Sequence, residues 1–213
     1  MITQTFLKEF STLVDTPASV DKIQELILQL AIQGKLVPQD SSDESAAELL
    51  KRVELESKRL VREGELKKAF KPEPIRDEEV PFLVPSNWQW VRLGSIGKIF
   101  NGNSINATEK ELSYTNLIEG YPYIATKDVN YETREIDYEN GIKIPFDEPG
   151  FRIAKPNAVL ICSEGGSAGK KIAITDREIA FGNKLYAIEL FSDVVPEYIF
   201  YLYQSQYFFS HFS

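Results

Sequence analysis

IQELILQLAIQGKLVPQ, residues Ile23–Gln39, opens as an amphipathic helix: Ile23, Leu26, Ile27, Leu30 and Ala31 recur at the spacing that brings them to one face. Gly34 supplies a left-handed stop, and Pro38 keeps the helix from resuming at once. Ser19 or Thr16 can cap its start, after Pro17 has ended a weakly amphipathic segment over Met1–Thr16 that carries Phe6, Leu7, Phe10, Leu13 and Val14. Periodicity alone is satisfied equally well by a surface helix on a globular core.

Downstream, Gln39–Ser45 is a polar turn, and Ser45-Ala-Ala-Glu48 has the spacing of a capping box. A second helix is predicted from there to about Glu63, using Ala46, Leu49, Leu50, Val53 and Leu60 and closed by Gly64. Its other face carries Lys51, Arg52, Glu54, Glu56, Lys58 and Arg59, the mixed charge of a solvated surface. Each helix offers one apolar stripe and no second helix of its own to cover it, which predicts packing against another chain or repeat.

Lys67–Glu79, KKAFKPEPIRDEE, is charged and contains prolines, as a linker does. Beyond it the texture changes to short apolar runs between Gly, Asn, Pro and Asp. Trp88–Leu93 and Ile142–Phe146 alternate like half-buried strands, and Ala158–Cys162, Lys171–Thr175 and Leu185–Leu190 read as further strands. Pro81–Leu190 is thus expected to be a mixed, mostly antiparallel β module with long loops. Pro196 and EYIFYLYQSQYFFSHF predict a closing helix, apolar nearly all round and better suited to core packing than to stacking on bases. Because the chain stops inside that apolar element, it is expected to be a piece of something longer. The fold class is α+β: a helical region over residues 1–70, a linker over 71–80, and the β module with its helix over 81–213.

With 213 residues and 43% hydrophobic content, the chain can bury one or two cores. It has no apolar run long enough to span a membrane and no secretory leader, so the expected location is cytoplasmic. A single cysteine, Cys162, excludes an internal disulfide and a Cys-rich zinc site. The net charge of −8 argues against a simple nucleic-acid binder. Residues 1–80 hold 12 Lys+Arg against 16 Asp+Glu, and the remainder holds the same, so neither half is basic.

Glu164-Gly-Gly-Ser-Ala-Gly-Lys-Lys171 invites comparison with a phosphate-binding loop. Glu164 sits where the first glycine is needed, and Lys171 replaces the magnesium-binding hydroxyl. The strand-like KIAIT that follows is not the helix such a loop opens, and a tight glycine turn between strands explains the glycines. The sole histidine, His211, lies in the apolar tail and suits packing. Asp128 and scattered acids compose no nuclease site beyond what any acidic chain allows, and no methylase signature is present. The expectation is a chain that catalyses nothing by itself and binds neither cofactor nor metal.

Four segments, in order, carry a resemblance: LAIQGKLVPQ; VPFLVPSNWQWVRLGSIGKIFNG; GYPYIATKDVN; and KPNAVLICSEGGSAGKKIAI with FGNKLYAIEL. Together they resemble the specificity subunits of type I restriction enzymes, with a helical spacer followed by one target recognition domain. The resemblance implies a reader of a two-part sequence on double-stranded DNA, serving methyltransferase subunits and, through them, a restriction subunit. A complete subunit has two such halves; with one, the chain is either an N-terminal half or a half-subunit able to pair with itself. A helix of about 18 residues spans roughly 27 Å, somewhat less than the ~34 Å turn of DNA, so the helices could space two modules. Asn and Lys suit base edges, and Lys and Arg suit phosphate. The candidates are therefore loop residues: Asn101, Asn103, Ser104 and Asn106; Lys127 and Asn130; Ser163, Lys170 and Lys171; and Asn183 and Lys184. Two rivals are a scaffold whose β module binds protein, favoured by the acidic balance, and an enzyme that would depend on Glu164 or Asp128.

Overall fold

The computed structural model describes residues 16–212. Helix α1 spans Pro17–Ile32; Thr16 caps it, its hydroxyl accepting from the Ser19 amide while the Ser19 hydroxyl answers at the Thr16 amide. The rest of the segment read over Met1–Thr16 lies outside the described residues. Gly34 has a φ of +66°, and a Cβ there would stand 2.6 Å from the Pro85 ring, so both backbone and space demand glycine. Gln39 ties the two regions together, donating to the Gly34 carbonyl at 2.9 Å and accepting from the Trp88 indole at 3.0 Å.

Helix α2 spans Ala46–Arg62 and ends, as expected, at Gly64 with a φ of +79°. The capping box does not form. Ser45 is the N-cap residue but makes no side-chain bond; the Asn87 carbonyl instead accepts the Ala46 amide at 2.8 Å, satisfying one of the helix's free donors. The charged face is laced by ion pairs, among them Lys58–Glu54 at 2.6 Å and Arg59–Glu56 at 2.7 Å. The expectation that this helix must find its partner in another chain is corrected. Val53, 2% exposed, packs with Ile96, Val159, Ile161, Ile172, Ile188 and Ile199, so its stripe is covered by the β module itself.

Two four-stranded sheets build that module. The first has the order β1 (Gly97–Asn101), β8 (Leu185–Leu190), β5 (Val159–Cys162), β6 (Ile172–Ile174), antiparallel throughout. The second runs β3 (Lys143–Ile144), β2 (Tyr121–Ile124), β7 (Ile179–Phe181), β4 (Ile153–Ala154), with β2 and β7 parallel. The first sheet is covered on both faces. Leu160 and Cys162 face a core shared with Ile124, Val129 and Phe181, while Val159 and Ile161 face the helices, so AVLIC is apolar without alternation.

Several expected elements differ. Trp88–Leu93 is not a strand: its indoles are held by ring contacts, Trp88 on Tyr198 at 6.1 Å and Trp90 on Phe82 at 4.9 Å, and Leu93–Ile96 is a short helix, α3. Of the strand read over Ile142–Phe146, only its first half pairs: Lys143–Ile144 with β2, and Ile142 by an isolated bridge to Thr115. After β1, a short turn of helix, α4 (Ala107–Glu109), continues as one π turn to Tyr114. The closing helix is two, α5 (Pro196–Gln204) and α6 (Gln206–His211), broken at Ser205, whose extended backbone and hydroxyl cap α6. In the linker, Glu79 accepts from the Arg76 amide and from the Arg92 guanidinium, and these bonds hold its carboxyl down at about 2. Among the described residues, no helix is long and apolar enough to cross a membrane.

Removing two methyl groups at Val53 by Val53→Ala is expected to cost about 2 kcal/mol of global stability. Urea denaturation followed by tryptophan fluorescence checks it: the single transition moves as a whole if α2 shares the β core, and stays in place if the helix folds apart from it.

Candidate nucleic-acid interface

Strand directions decide where the loops go. Asn101 at the end of β1 pairs with Tyr186 at the start of β8, and Cys162 at the end of β5 pairs with Leu185. In the second sheet, Ile124 and Phe181 end β2 and β7 side by side. The loops after β1, β2, β5 and β7 therefore emerge on one rim. Ten of the eleven residues singled out from the sequence lie on these four loops, and Asn101 ends β1 beside them.

Main-chain and side-chain bonds fasten the loops to each other. The Asn103 amide donates to the Phe181 carbonyl at 2.8 Å, the Gly182 amide to the Ile124 carbonyl at 2.8 Å, and the Ser163 amide to the Lys184 carbonyl at 2.9 Å. Lys171 Nζ donates to the Thr126 carbonyl at 2.8 Å, joining the glycine turn to the loop after β2. Gly102 lets the first loop pass against β7: a Cβ there would lie 1.9 Å from the Phe181 carbonyl oxygen. Asp128 is buried, and its carboxylate accepts the Ala125 amide at 2.9 Å, which shapes the turn rather than exposing an acid.

This framework divides the candidates. Asn103 spends its side chain inside, donating to the Gly150 carbonyl at 3.0 Å and accepting from the Arg152 amide at 2.8 Å. Asn106 caps α4, accepting from the Glu109 amide at 2.8 Å. Asn130 accepts from the Glu132 and Thr133 amides at 2.8 and 3.0 Å, a side-chain-made turn. The Ser163 hydroxyl donates to the Lys184 carbonyl at 3.1 Å, and Asn101 accepts from Arg152. These residues hold loops in position. Ser104, Lys127, Lys170 and Lys184 are exposed; Lys127, 74% exposed, comes no nearer a carboxylate than 3.7 Å from Asp128. Asn183 is half-buried at the tip of the β7–β8 turn.

The glycine segment is a turn between antiparallel β5 and β6, with Gly165 at a φ of +72° and Gly169 at +69°, as expected. Two arginines on the rim escaped the sequence reading. Arg152, just before β4, donates to the Asn101 carbonyl at 2.8 Å. Arg134, beyond β2, donates to the Lys170 carbonyl. Neither has a sequence signal of its own; only the strand pairing brings them beside the other loops.

Elsewhere several cations are matched, although Lys51, Arg62, Lys67 and Lys68 among others meet no carboxylate among the described residues. Arg52, Arg59, Arg76, Arg92, Lys98, Lys155 and Arg177 each meet a carboxylate, away from the rim. On the rim, Arg134, Arg152, Lys170, Lys171 and Lys184 have no carboxylate within ion-pairing distance among the described residues. Exposed Glu132, Glu135 and Glu164 share these loops without pairing to them. Five cations on the rim thus keep their charge unneutralised within an acidic chain.

The family profile described as the type I restriction modification DNA specificity domain matches residues 85–211, well over half of the sequence. The chain belongs to that family. It is 55% identical over 95 residues to the Type I restriction enzyme EcoAI specificity subunit of Escherichia coli, which is 45% of this chain and 16% of that protein. To the EcoEI specificity subunit of the same organism it is 53% identical over 87 residues, 41% of this chain and 15% of the relative. The chain therefore matches well under a fifth of the length of these two curated relatives. The crystal structure of the HsdS subunit from Thermoanaerobacter tengcongensis is 20% identical with a TM-score of 0.44, covering 87% of this chain and 38% of that one. The segments of the resemblance come together in space: LAIQGKLVPQ, outside the matched residues, meets VPSNWQW through Gly34 and Gln39, and the other two contribute loops to the rim.

Replacing the inter-loop cation, Lys171→Met, is expected to lose about 1 kcal/mol of stability. It should also speed amide exchange over residues 125–128, read by hydrogen–deuterium exchange, with little change in the sheet amides. Unchanged exchange in that loop would show that the bond to Thr126 does not hold it.

Proposed function

We propose that the rim reads the base sequence of double-stranded DNA, one half of a two-part target, for a type I restriction-modification complex. The observation that carries this reading is the convergence of four loops on one rim, where Arg134, Arg152, Lys170, Lys171 and Lys184 have no carboxylate partner among the described residues of an acidic chain. Lys127, Lys170 and Lys184 reach solvent and suit phosphate or guanine edges; Ser104 and Asn183 suit base edges. Asn101, Asn103, Asn106, Asn130, Ser163 and Lys171 act behind them, by fixing loop shape.

The region before residue 80 then serves assembly: α1 exposes Val20, Leu26 and Ile27 on the side that the β module leaves uncovered. It would meet the methyltransferase subunits and, through them, the restriction subunit, or a second copy of this chain in a self-paired half-subunit. On this reading the chain is a specificity component without catalysis, cofactor or metal of its own, working in the cytoplasm. Its acidic balance keeps non-specific affinity low and leaves much of the positive field to its partners.

Co-expression with the methyltransferase encoded beside it, followed by long-read mapping of methylated sites, tests the proposal. The expected result is methylation at a split motif, palindromic if the chain pairs with itself and asymmetric if another domain supplies the second half. Asn183→Ala together with Lys184→Ala should relax the bases of one half of an asymmetric motif, or of both halves of a palindromic one, each lost contact being worth about 1–3 kcal/mol of discrimination. A stable complex that methylates no motif would contradict DNA reading and favour a scaffold.

A further inference from the structure

Beyond β2 the chain folds back on itself. Val129 bridges Ile136, the Asn130 amide donates to the Glu135 carbonyl at 2.9 Å, and the Asn130 side chain accepts from two amides inside the turn. The turn is tight enough to put Arg134 at a φ of +63°, in the left-handed region that a long side chain rarely occupies. Such a conformation persists where the surroundings hold it. Arg134 is held from three sides. Its guanidinium donates to the Lys170 carbonyl, its Cζ lies 5.0 Å from the centre of the Tyr131 ring, and its side chain walls a cleft of about 280 Å³ with Gly169, Lys170, Tyr203 and Phe209.

Half-buried guanidinium groups ordinarily find a carboxylate, because the water they give up must be replaced by something negative. Arg134 has no carboxylate partner among the described residues, although Glu132 and Glu135 stand in its own turn. Burial pulls its basicity below the ordinary arginine value, with no ion pair to oppose it. A guanidinium carries five N–H donors in a rigid fork, and one carbonyl does not use them up. The group is partly desolvated, fixed in direction and short of an anion. It opens beside exposed Lys170, on the loop that Lys171 ties to the Lys127 turn.

We propose that Arg134 takes a backbone phosphate of the bound duplex, fixing the register of the rim on DNA without reading a base. The proposal rests on the DNA-reading function above and deepens it by naming the residue that positions the reader. Tyr131 and the Lys170 carbonyl orient the fork beforehand, so little side-chain freedom is lost on binding, and Asn130 acts by shaping the turn that presents it.

The test uses the full chain assembled with its methyltransferase and fluorescently labelled duplexes of mixed sequence, titrated over a range of salt concentrations. Arg134→Gln and Arg134→Gly are each expected to weaken binding about tenfold at low salt and to reduce the slope of log affinity against log salt by about 0.9. Arg134→Gly also relieves the left-handed backbone, so its melting temperature should equal or exceed that of the parent. Weaker binding without weaker folding separates a phosphate contact from mere support of the loop. The methylated motif should keep the same bases in every variant. Unchanged affinity and slope in Gln and Gly variants of a complex that otherwise binds DNA would overturn the role of Arg134 alone, and so would relaxed discrimination at one base. If the parent complex fails to bind the duplexes even at low salt, DNA reading itself falls, and this proposal with it.

Discussion

Strand β5 has no solvent face, and that constraint governs the molecule. All four of its residues, Val159–Cys162, are buried, two toward the second sheet and two toward the helices. A sheet so placed needs cover on both sides. One side comes from β2, β7 and the loops around Val129; the other from α2, α5 and α6, which explains why the charged helix after residue 45 packs on this chain. With both faces closed, the ends of the strands are left for other work. At one end, four loops meet and bond to one another, and the short β7–β8 turn passes from one sheet to the other through Gly182, Asn183 and Lys184.

Electrostatics then sorts the residues by place rather than by number. Away from the rim, carboxylates sit against arginines and lysines on α2, along the linker and on the strand edges; exposed pairs of this kind contribute little stability but do neutralise charge. On the rim, three cations are bonded to carbonyls instead. A carbonyl orients a guanidinium or an ammonium without cancelling its charge, so Arg134, Arg152 and Lys171 keep their positive field while losing freedom. On the proposed function, weak overall attraction to DNA and strong local direction are two results of one arrangement, and a specificity component gains from both.

The sequence made the strands with continuous apolar runs legible: β5, β6 and β8 lie where Ala158–Cys162, Lys171–Thr175 and Leu185–Leu190 placed them. Gly34, Gly64 and the Glu164–Lys171 turn were also readable, because a left-handed backbone leaves few alternatives to glycine. Trp88–Leu93 misled because alternation reports a half-buried extended segment, whereas pairing depends on a free strand edge nearby; the indoles found rings instead. The break at Ser205 was hidden by the uniformly apolar run around it. In the candidate site, residue type identified loops but not duties. Asn103, Asn106 and Asn130 look like base readers in the sequence, yet Asn106 and Asn130 are bound up in their own loops and Asn103 in the segment before β4. Arg134 gave no signal, since its setting is made by Lys170, distant in sequence and adjacent only through β5 and β6.

The most direct test of the central claim is hydrogen–deuterium exchange on the chain assembled with its methyltransferase, with and without a duplex bearing the methylated motif. Slower exchange over residues 125–134, 163–171 and 182–184 when that duplex is added, and no such slowing with a scrambled duplex, is the predicted result. Slowing confined to the linker or to the opposite end of the sheets around Phe146, with the rim unchanged, would contradict it.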